Sequence, residues 1–259
     1  MKHSFPFGSE LKKVEQQDKS PKKVFVLGVY ASAVHAKWID ANGKVKVNAL
    51  AVASEPEIFW KGNNADEIIN RIKIPSVLGK LIPADDRFNG PSGKVLDDLF
   101  LQPLGYTRAD AWLCDLLPYS RINPNQQEAI DTKYNSQMKD FDLPKCTIPH
   151  FNAAELNNSL RVDEIVTELE HSQADTIILL GDLPIKHFLS HFMKATKLSD
   201  FGTMQSEYGI KHLVNINGKT YNVIPLVHPR QAGQLGTNSH DWSHLHKAWV
   251  KKKIVDKGL

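Results

Sequence analysis

Two short runs of residues constrain this chain more than any other feature. Val24-Phe25-Val26-Leu27 runs without a polar side chain into Gly28, and Thr176-Ile177-Ile178-Leu179-Leu180 runs into Gly181. Neither run alternates apolar with polar residues, so neither leaves a face for water. Such strands are buried on both sides, as in a parallel sheet covered by helices. Ala111-Trp112-Leu113-Cys114 reads as another strand, as does Tyr221-Asn222-Val223-Ile224 continuing through Pro225 into Leu226-Val227. Between the strands the apolar spacing is helical over Lys94–Phe100, Gln126 to about Met138, Val162–His171, Leu183–Lys197 and Asp241–Lys253, with Asp241 or Ser239 as an N-cap for the last. Alternating strands and helices predict an α/β fold, a three-layer α/β/α sandwich on a mostly parallel central sheet.

Asn42-Gly43 and Asn217-Gly218 are turn signals. The first joins Trp38–Asp40 to Lys44–Val47 as an edge hairpin, and the second joins His212–Ile216 to Tyr221–Ile224. Asp66–Ile72 reads as a short helix and Pro83–Gly93 as a loop. Residues 1–21 are polar, carry Pro6, Gly8 and Pro21, and read as an N-terminal arm. With no repeat and no low-complexity linker, residues 22–259 read as one domain. The 259 residues, 41% of them hydrophobic, are enough for a sizeable core.

No apolar run approaches the length of a membrane span, and Met1-Lys2-His3-Ser4-Phe5 lacks the apolar stretch of a secretory leader. The two cysteines, Cys114 and Cys146, make a disulfide scaffold unexpected and a four-cysteine cluster impossible within one chain. A cytoplasmic protein is the expectation. The net charge of +3 is compatible with a nucleic-acid partner without requiring one. Lys247 and Lys251-Lys252-Lys253 fit a solvated helix end matched to its dipole.

Ligands of open α/β sheets bind at the carboxyl ends of strands. Gly28, Asp115, Gly181 and His228 each follow an apolar strand in this prediction, so they can converge on one edge. Five segments fall in order: Gly28-Val29-Tyr30-Ala31-Ser32; Phe88-Asn89-Gly90-Pro91-Ser92-Gly93-Lys94; Leu113–Asp115 with Pro118 to Asn125; Leu180-Gly181; and Val227-His228-Pro229. In this layout the chain resembles the uracil-DNA glycosylase superfamily, closest to its family-4 branch, over roughly residues 22–250.

The resemblance implies an enzyme that flips a nucleotide out of the DNA stack and hydrolyses its N-glycosidic bond, leaving an abasic site. His228 matches the donor that stabilises negative charge on the departing base, a role worth about 3–4 kcal/mol in a dry site. Phe88 matches the aromatic that stacks on the extruded base, worth about 1–3 kcal/mol. Ser92 and Lys94, in a Gly-rich loop before a helix, match a phosphate contact. In the loop after His228, Arg230 or Leu235 fills the gap left by the base, and His240 with Ser239 approaches phosphate.

Two departures from the family pattern matter. The first motif has no carboxylate, so Asp86 is the expected water activator, with Asp85 and His35 behind it, while Tyr30 and Ser32 line the base pocket. Asp115 stands where the family places an Asn that reads the base. An ionised Asp only accepts hydrogen bonds, which suits the exocyclic amine of cytosine rather than O4 of uracil. A modified cytosine is therefore the expected substrate, and by analogy with glycosylases that attack hypermodified phage bases, antiviral defence the expected setting. Uracil or deaminated-base repair is the alternative, as is an inactive DNA-binding module of the same fold.

Eleven histidines invite a metal reading. His187 and His191 share a face of a predicted helix, and His240, His244 and His246 cluster near the end, but no acid accompanies either group at motif spacing. No metal and no cofactor are expected, and the partner is DNA, bound by a monomer without contact to a membrane.

Overall fold

The computed structural model describes residues 2–235 and 240–256. In chain order its strands are β1 (Val24–Tyr30), β2 (Ala33–Ile39), β3 (Val45–Ser54), β4 (Lys80–Pro83), β5 (Ala111–Leu117), β6 (Thr176–Leu180), β7 (His212–Ile216) and β8 (Lys219–Leu226). Its α-helices are α1 (Ala65–Asn70), α2 (Pro91–Leu96), α3 (Gln102–Leu104), α4 (Pro124–Ala129), α5 (Ser159–Ser172), α6 (Asp182–His187), α7 (Pro229–Ala232) and α8 (His240–Asp256). A π-helical segment, Asp97–Leu101, links α2 to α3.

Contacts group the chain into two compact units where the sequence predicts one domain. The first is Met1–Val14, Tyr30–Pro91 and Pro118–Asn152; the second is Glu15–Val29, Ser92–Leu117 and Ala153–Leu259.

The second unit holds the sheet that the apolar runs predict. Its order is β5-β1-β6-β8-β7. β1 and β6 run parallel, from Val24 opposite Thr176 to Leu27 opposite Leu179, and β6 and β8 run parallel from Thr176 opposite Asn222 to Leu180 opposite Leu226. β7 closes the sheet antiparallel to β8 across the Asn217-Gly218 turn. All five residues of β6 are buried, as a strand without a polar face requires. The fold class is thus α/β with a mostly parallel five-stranded sheet flanked by helices. From α5, Glu168 accepts the indole N–H of Trp112 at 3.2 Å, and Arg161 donates to the Asp115 carbonyl at 2.7 Å.

The first unit is built on an antiparallel sheet of order β3-β2-β4. The Asn42-Gly43 hairpin belongs here, with β2 in the centre, rather than at the edge of the parallel sheet. Its core includes Trp38, Leu50, Val52, Trp60 and Tyr134. Phe5 and Phe7, expected in an N-terminal arm rather than a core element, are core residues of this unit. Phe7 meets Trp38 and Tyr134 edge-on at 5.3 and 5.0 Å, and its amide donates to the Tyr134 hydroxyl at 2.9 Å. Burying two aromatic rings outweighs the polar composition around them.

The helix predicted over Leu183–Lys197 stops earlier. α6 ends at His187, Phe188 leaves the helical region at φ −125°, and only a short 3-10 turn, Leu189–His191, follows. His187 and His191 therefore do not share one α-helix. At the C-terminus α8 begins at His240, which puts Asp241 inside it rather than at the cap; Ser239 lies outside the described residues.

Candidate functional site

The carboxyl ends of β1, β6 and β8 border a cleft of about 410 Å³ in the second unit, lined by Val29, Gly181, His228 and Arg230 among others. The parallel register makes this edge: the Gly181 amide donates to the Leu226 carbonyl at 2.7 Å, so β6 and β8 end level with each other. Gly181 has φ +91°, and a Cβ there would stand 3.3 Å from that of His228. The glycine that stops the run thus lets the histidine come close.

His228 is the N-cap of α7, and its Nδ1 accepts the Arg230 amide at 3.2 Å. Burial, followed by the Arg230 charge, lowers its pKa to about 4. At neutral pH the ring is uncharged, and because Nδ1 is an acceptor, the ring proton is on Nε2. His228 is therefore a neutral hydrogen-bond donor on the cleft wall. The short loop after it folds back on itself: the Leu235 amide donates to the Arg230 carbonyl at 2.8 Å, and Arg230 Nε donates to the Leu235 carbonyl at 3.3 Å. Arg230 is exposed and Leu235 half-buried. His240 is exposed at the start of α8, its ring 6.5 Å from that of His244.

Asp115 lies inside β5 rather than after it and is 2% exposed. Burial raises its carboxyl to about 7; the Arg161 guanidinium pulls it down and Glu168 pushes it up. Gly28 likewise lies inside its strand, one residue before Val29.

The Gly-rich segment is also displaced from its expected frame. The helix starts at Pro91, so Ser92, Gly93 and Lys94 are its first-turn residues and not a loop before it. The Gly93 carbonyl accepts from Arg108, which pairs with Asp97 at 2.8 Å. Lys94 is exposed and Ser92 half-buried.

Phe88 belongs to the first unit. It lies outside the core, with the Arg87 guanidinium 4.9 Å from its ring centre and the His35 ring 6.4 Å away. Asn89 pins this loop to β2: its Oδ1 accepts the His35 amide at 2.8 Å and its Nδ2 donates to the His35 carbonyl at 2.9 Å. Gly90 cannot be another residue there, since a Cβ would lie 2.0 Å from the Lys61 carbonyl carbon. Asp86 is exposed. His35, lowered to about 4 by burial, is neutral.

Tyr30 ends β1 and stacks on Phe151 with ring centres 4.9 Å apart. Ser32 is exposed, yet its backbone is held on both sides. Its amide donates to Glu55 Oε1 at 2.8 Å, and its carbonyl accepts from the buried Ser120 hydroxyl. Glu55 is 6% exposed. Sequence reasoning passes over it, because a glutamate beside a proline after a strand looks like a surface turn; the usable signal is its place opposite the first motif across the β2–β3 hairpin.

Among the described residues no group of three His, Cys, Asp or Glu side chains is arranged to hold a metal ion, and no helix is long and apolar enough to cross a membrane. No family model matches the chain, and no curated protein sequence matches it.

Proposed function

We propose that this protein is a DNA N-glycosylase that extrudes a nucleotide, hydrolyses the bond between base and sugar, and leaves an abasic site. The observation that carries this reading is His228: a neutral imidazole with its proton on Nε2, at the carboxyl edge of a parallel sheet, on the wall of a cleft. Cleaving an N-glycosidic bond leaves the electron pair on the base. A preorganised neutral donor stabilises that charge without an imidazolium having to be formed in a dry site. The exposed side chains of Lys94, Arg230 and His240 are the DNA contacts, with Ser92 and Leu235 beside them.

Asp115 reads the base. Ionised, it accepts from the exocyclic amine of a cytosine-type base, and a modified cytosine is the substrate class this favours. A second reading has its own support. With the carboxyl raised to about 7, its neutral form is populated near neutrality and both donates and accepts, as an Asn amide does, which suits uracil.

The test is alkali-induced strand breakage after incubation with oligonucleotides carrying uracil, hypoxanthine, cytosine, hydroxymethylcytosine or glucosylcytosine. Breakage at a modified cytosine is the expected result, falling about 10²–10³-fold in H228A. A mobility shift without breakage on any substrate makes the protein a binding module. Neither shift nor breakage removes the DNA reading altogether.

A further inference from the structure

A groove of about 280 Å³ lies between the π segment and the C-terminal half of α8, inside the second unit. It shares no lining residue with the cleft at the strand ends. Leu99, Val250, Ile254 and Val255 supply its apolar surface, and Lys247 and Lys251 its charge. The polar groups of His246 and Leu99 at its floor are already used: Nε2 donates to the Leu99 carbonyl at 2.9 Å and Nδ1 holds the Tyr208 hydroxyl at 2.7 Å. An occupant therefore gains from this floor by burying apolar surface, not by hydrogen bonding to it. Ile254 and Val255 are 41% and 67% exposed. Apolar side chains scattered singly on a surface need no explanation, but several sharing one groove form a patch.

The charge on its rim has a definite pattern. Lys247, Val250, Lys251, Ile254 and Val255 make one stripe along α8, beside the stripe of Ser243, His246 and Trp249 that is buried in the core. Lys247 and Lys251 are exposed and four residues apart, a spacing at which like charges repel. Among the described residues neither is held in an ion pair. The helix dipole favours cations within the last turn, and of the lysines of α8 only Lys253 lies there. What the pair at 247 and 251 suits is an anion laid along the groove. Duplex DNA brings the charge but no apolar group to fill the floor. A helix that enters a bilayer presents a projecting apolar face, whereas this surface is concave and takes a single large side chain.

We propose that this groove docks an acidic segment of a partner protein, which seats one apolar side chain against Leu99, Val250 and Ile254 and turns its carboxylates to Lys247 and Lys251. The anchored side chain supplies most of the affinity, as buried anchors do at interfaces. The lysines select the sign of the partner and speed its encounter. This docking site goes beyond the glycosylase reading and does not depend on it. Because the groove and the cleft have no residue in common, a partner held on α8 leaves the strand-end cleft open.

The experiment is fluorescence anisotropy with the intact chain and a fluorescein-labelled peptide in which a run of glutamates is interrupted by a single phenylalanine. Saturable binding with a Kd on the order of 10–100 μM is expected, weakening as salt is raised. Replacing the phenylalanine by alanine should cost about tenfold or more. I254D and K247E/K251E, all at exposed positions, should each weaken binding by about tenfold. K252E, exposed on α8 but outside the groove, should stay within about twofold of wild type. Urea midpoints check that each variant is folded. The proposal is overturned by no binding to wild type, by equal affinity for the alanine peptide, or by a loss in K252E matching that in K247E/K251E. Cosedimentation with phosphatidylserine vesicles that I254D abolishes, without peptide binding, makes the face a membrane surface instead. A K247E/K251E loss as large for an oligonucleotide duplex as for the peptide gives the lysines to DNA and also overturns it. Base release by I254D should match wild type, so failure of the docking site and failure of the glycosylase reading are told apart.

Discussion

The phenolic oxygen of Tyr208 lies 2.7 Å from Nδ1 of His246, and both residues are buried, Tyr208 at 4% and His246 at 0% exposure. The same oxygen accepts the Val227 amide at 3.0 Å, so its own proton goes to His246, whose Nε2 in turn donates to the Leu99 carbonyl at 2.9 Å. Leu99 lies in the π segment, where regular helical pairing is interrupted and a carbonyl can find an outside partner. Four polar groups from separate parts of the chain are thus satisfied in one line that ends at the residue before His228.

Removing the hydroxyl breaks that line at two places. Y208F leaves the Val227 amide and His246 Nδ1 buried without partners. Each orphaned group costs about 1–3 kcal/mol, so a total loss on the order of 2–6 kcal/mol is expected. The urea midpoint should drop without a change in slope, and an unmoved midpoint contradicts the network. Because Val227 precedes the proposed donor, base release should fall further than DNA affinity.

Acid should unfold the protein through its buried histidines. His35, His228 and His246 are all lowered from 6.5 to about 4, chiefly by burial. Between those values the unfolded chain binds protons that the folded chain does not. Their contribution to stability is therefore intact above pH 6.5 and is lost as the pH falls towards 4. For the fully buried His246 the shift corresponds to at most about 3 kcal/mol. Asp115 works in the opposite sense: raised from 3.8 to about 7, it adds stability as the pH falls through that interval. Three groups against one leave a net loss on acidification, to be read from urea midpoints between pH 7.5 and 4.5. H246N should show a shallower dependence than wild type.

Gly181 and Gly43 are two positive-φ glycines that differ in what surrounds them. Both have positive φ, +91° and +81°, so alanine strains either backbone. A Cβ at Gly43 meets nothing within 4 Å, whereas one at Gly181 comes within 3.3 Å of His228. G43A should cost about 1–2 kcal/mol of backbone strain, and G181A, at φ +91° and ψ −175° in a region essentially restricted to glycine, up to about 3 kcal/mol. Only G181A should also slow base release, by about tenfold or more, as His228 is pushed from its position. Equal rates in the two variants would separate Gly181 from the function of the cleft.

What could be read in advance follows from where the signals are local. Thr176–Leu180 and the two Asn-Gly turns are legible because a buried parallel strand and a tight turn each write their requirement into a few adjacent residues. β4 is not, since Lys80–Pro83 is a short strand with a proline at the edge of its sheet, beside β2. Asp115 reads as a residue beyond its strand because a buried carboxyl inside one breaks the apolar pattern; Arg161, 46 residues later, donates to its backbone carbonyl and offsets the burial of its carboxyl only in part. Phe5 and Phe7 lack any periodicity that marks a core. Glu55 with Ser32 and Tyr208 with His246 are contacts made by the fold, 23 and 38 residues apart, and no window of sequence contains either.

The preference for a base should itself depend on pH. Below about 7 the neutral Asp115 carboxyl offers an O–H donor and a carbonyl acceptor, the pair that O4 and N3–H of uracil require. Above it the ionised form only accepts, which favours the exocyclic amine of a cytosine-type base and sets a carboxylate against O4. The ratio of release from hydroxymethylcytosine to release from uracil should therefore climb as the pH rises from 6 to 8, by about tenfold if one hydrogen bond worth roughly 1.5 kcal/mol changes sign. D115N carries the donor and acceptor permanently and should show the low ratio at every pH. The ratio, unlike the absolute rates, cancels the titration of any general base that acts on both substrates. A ratio that stays flat in wild type, or that climbs equally in D115N, means that Asp115 does not touch the base.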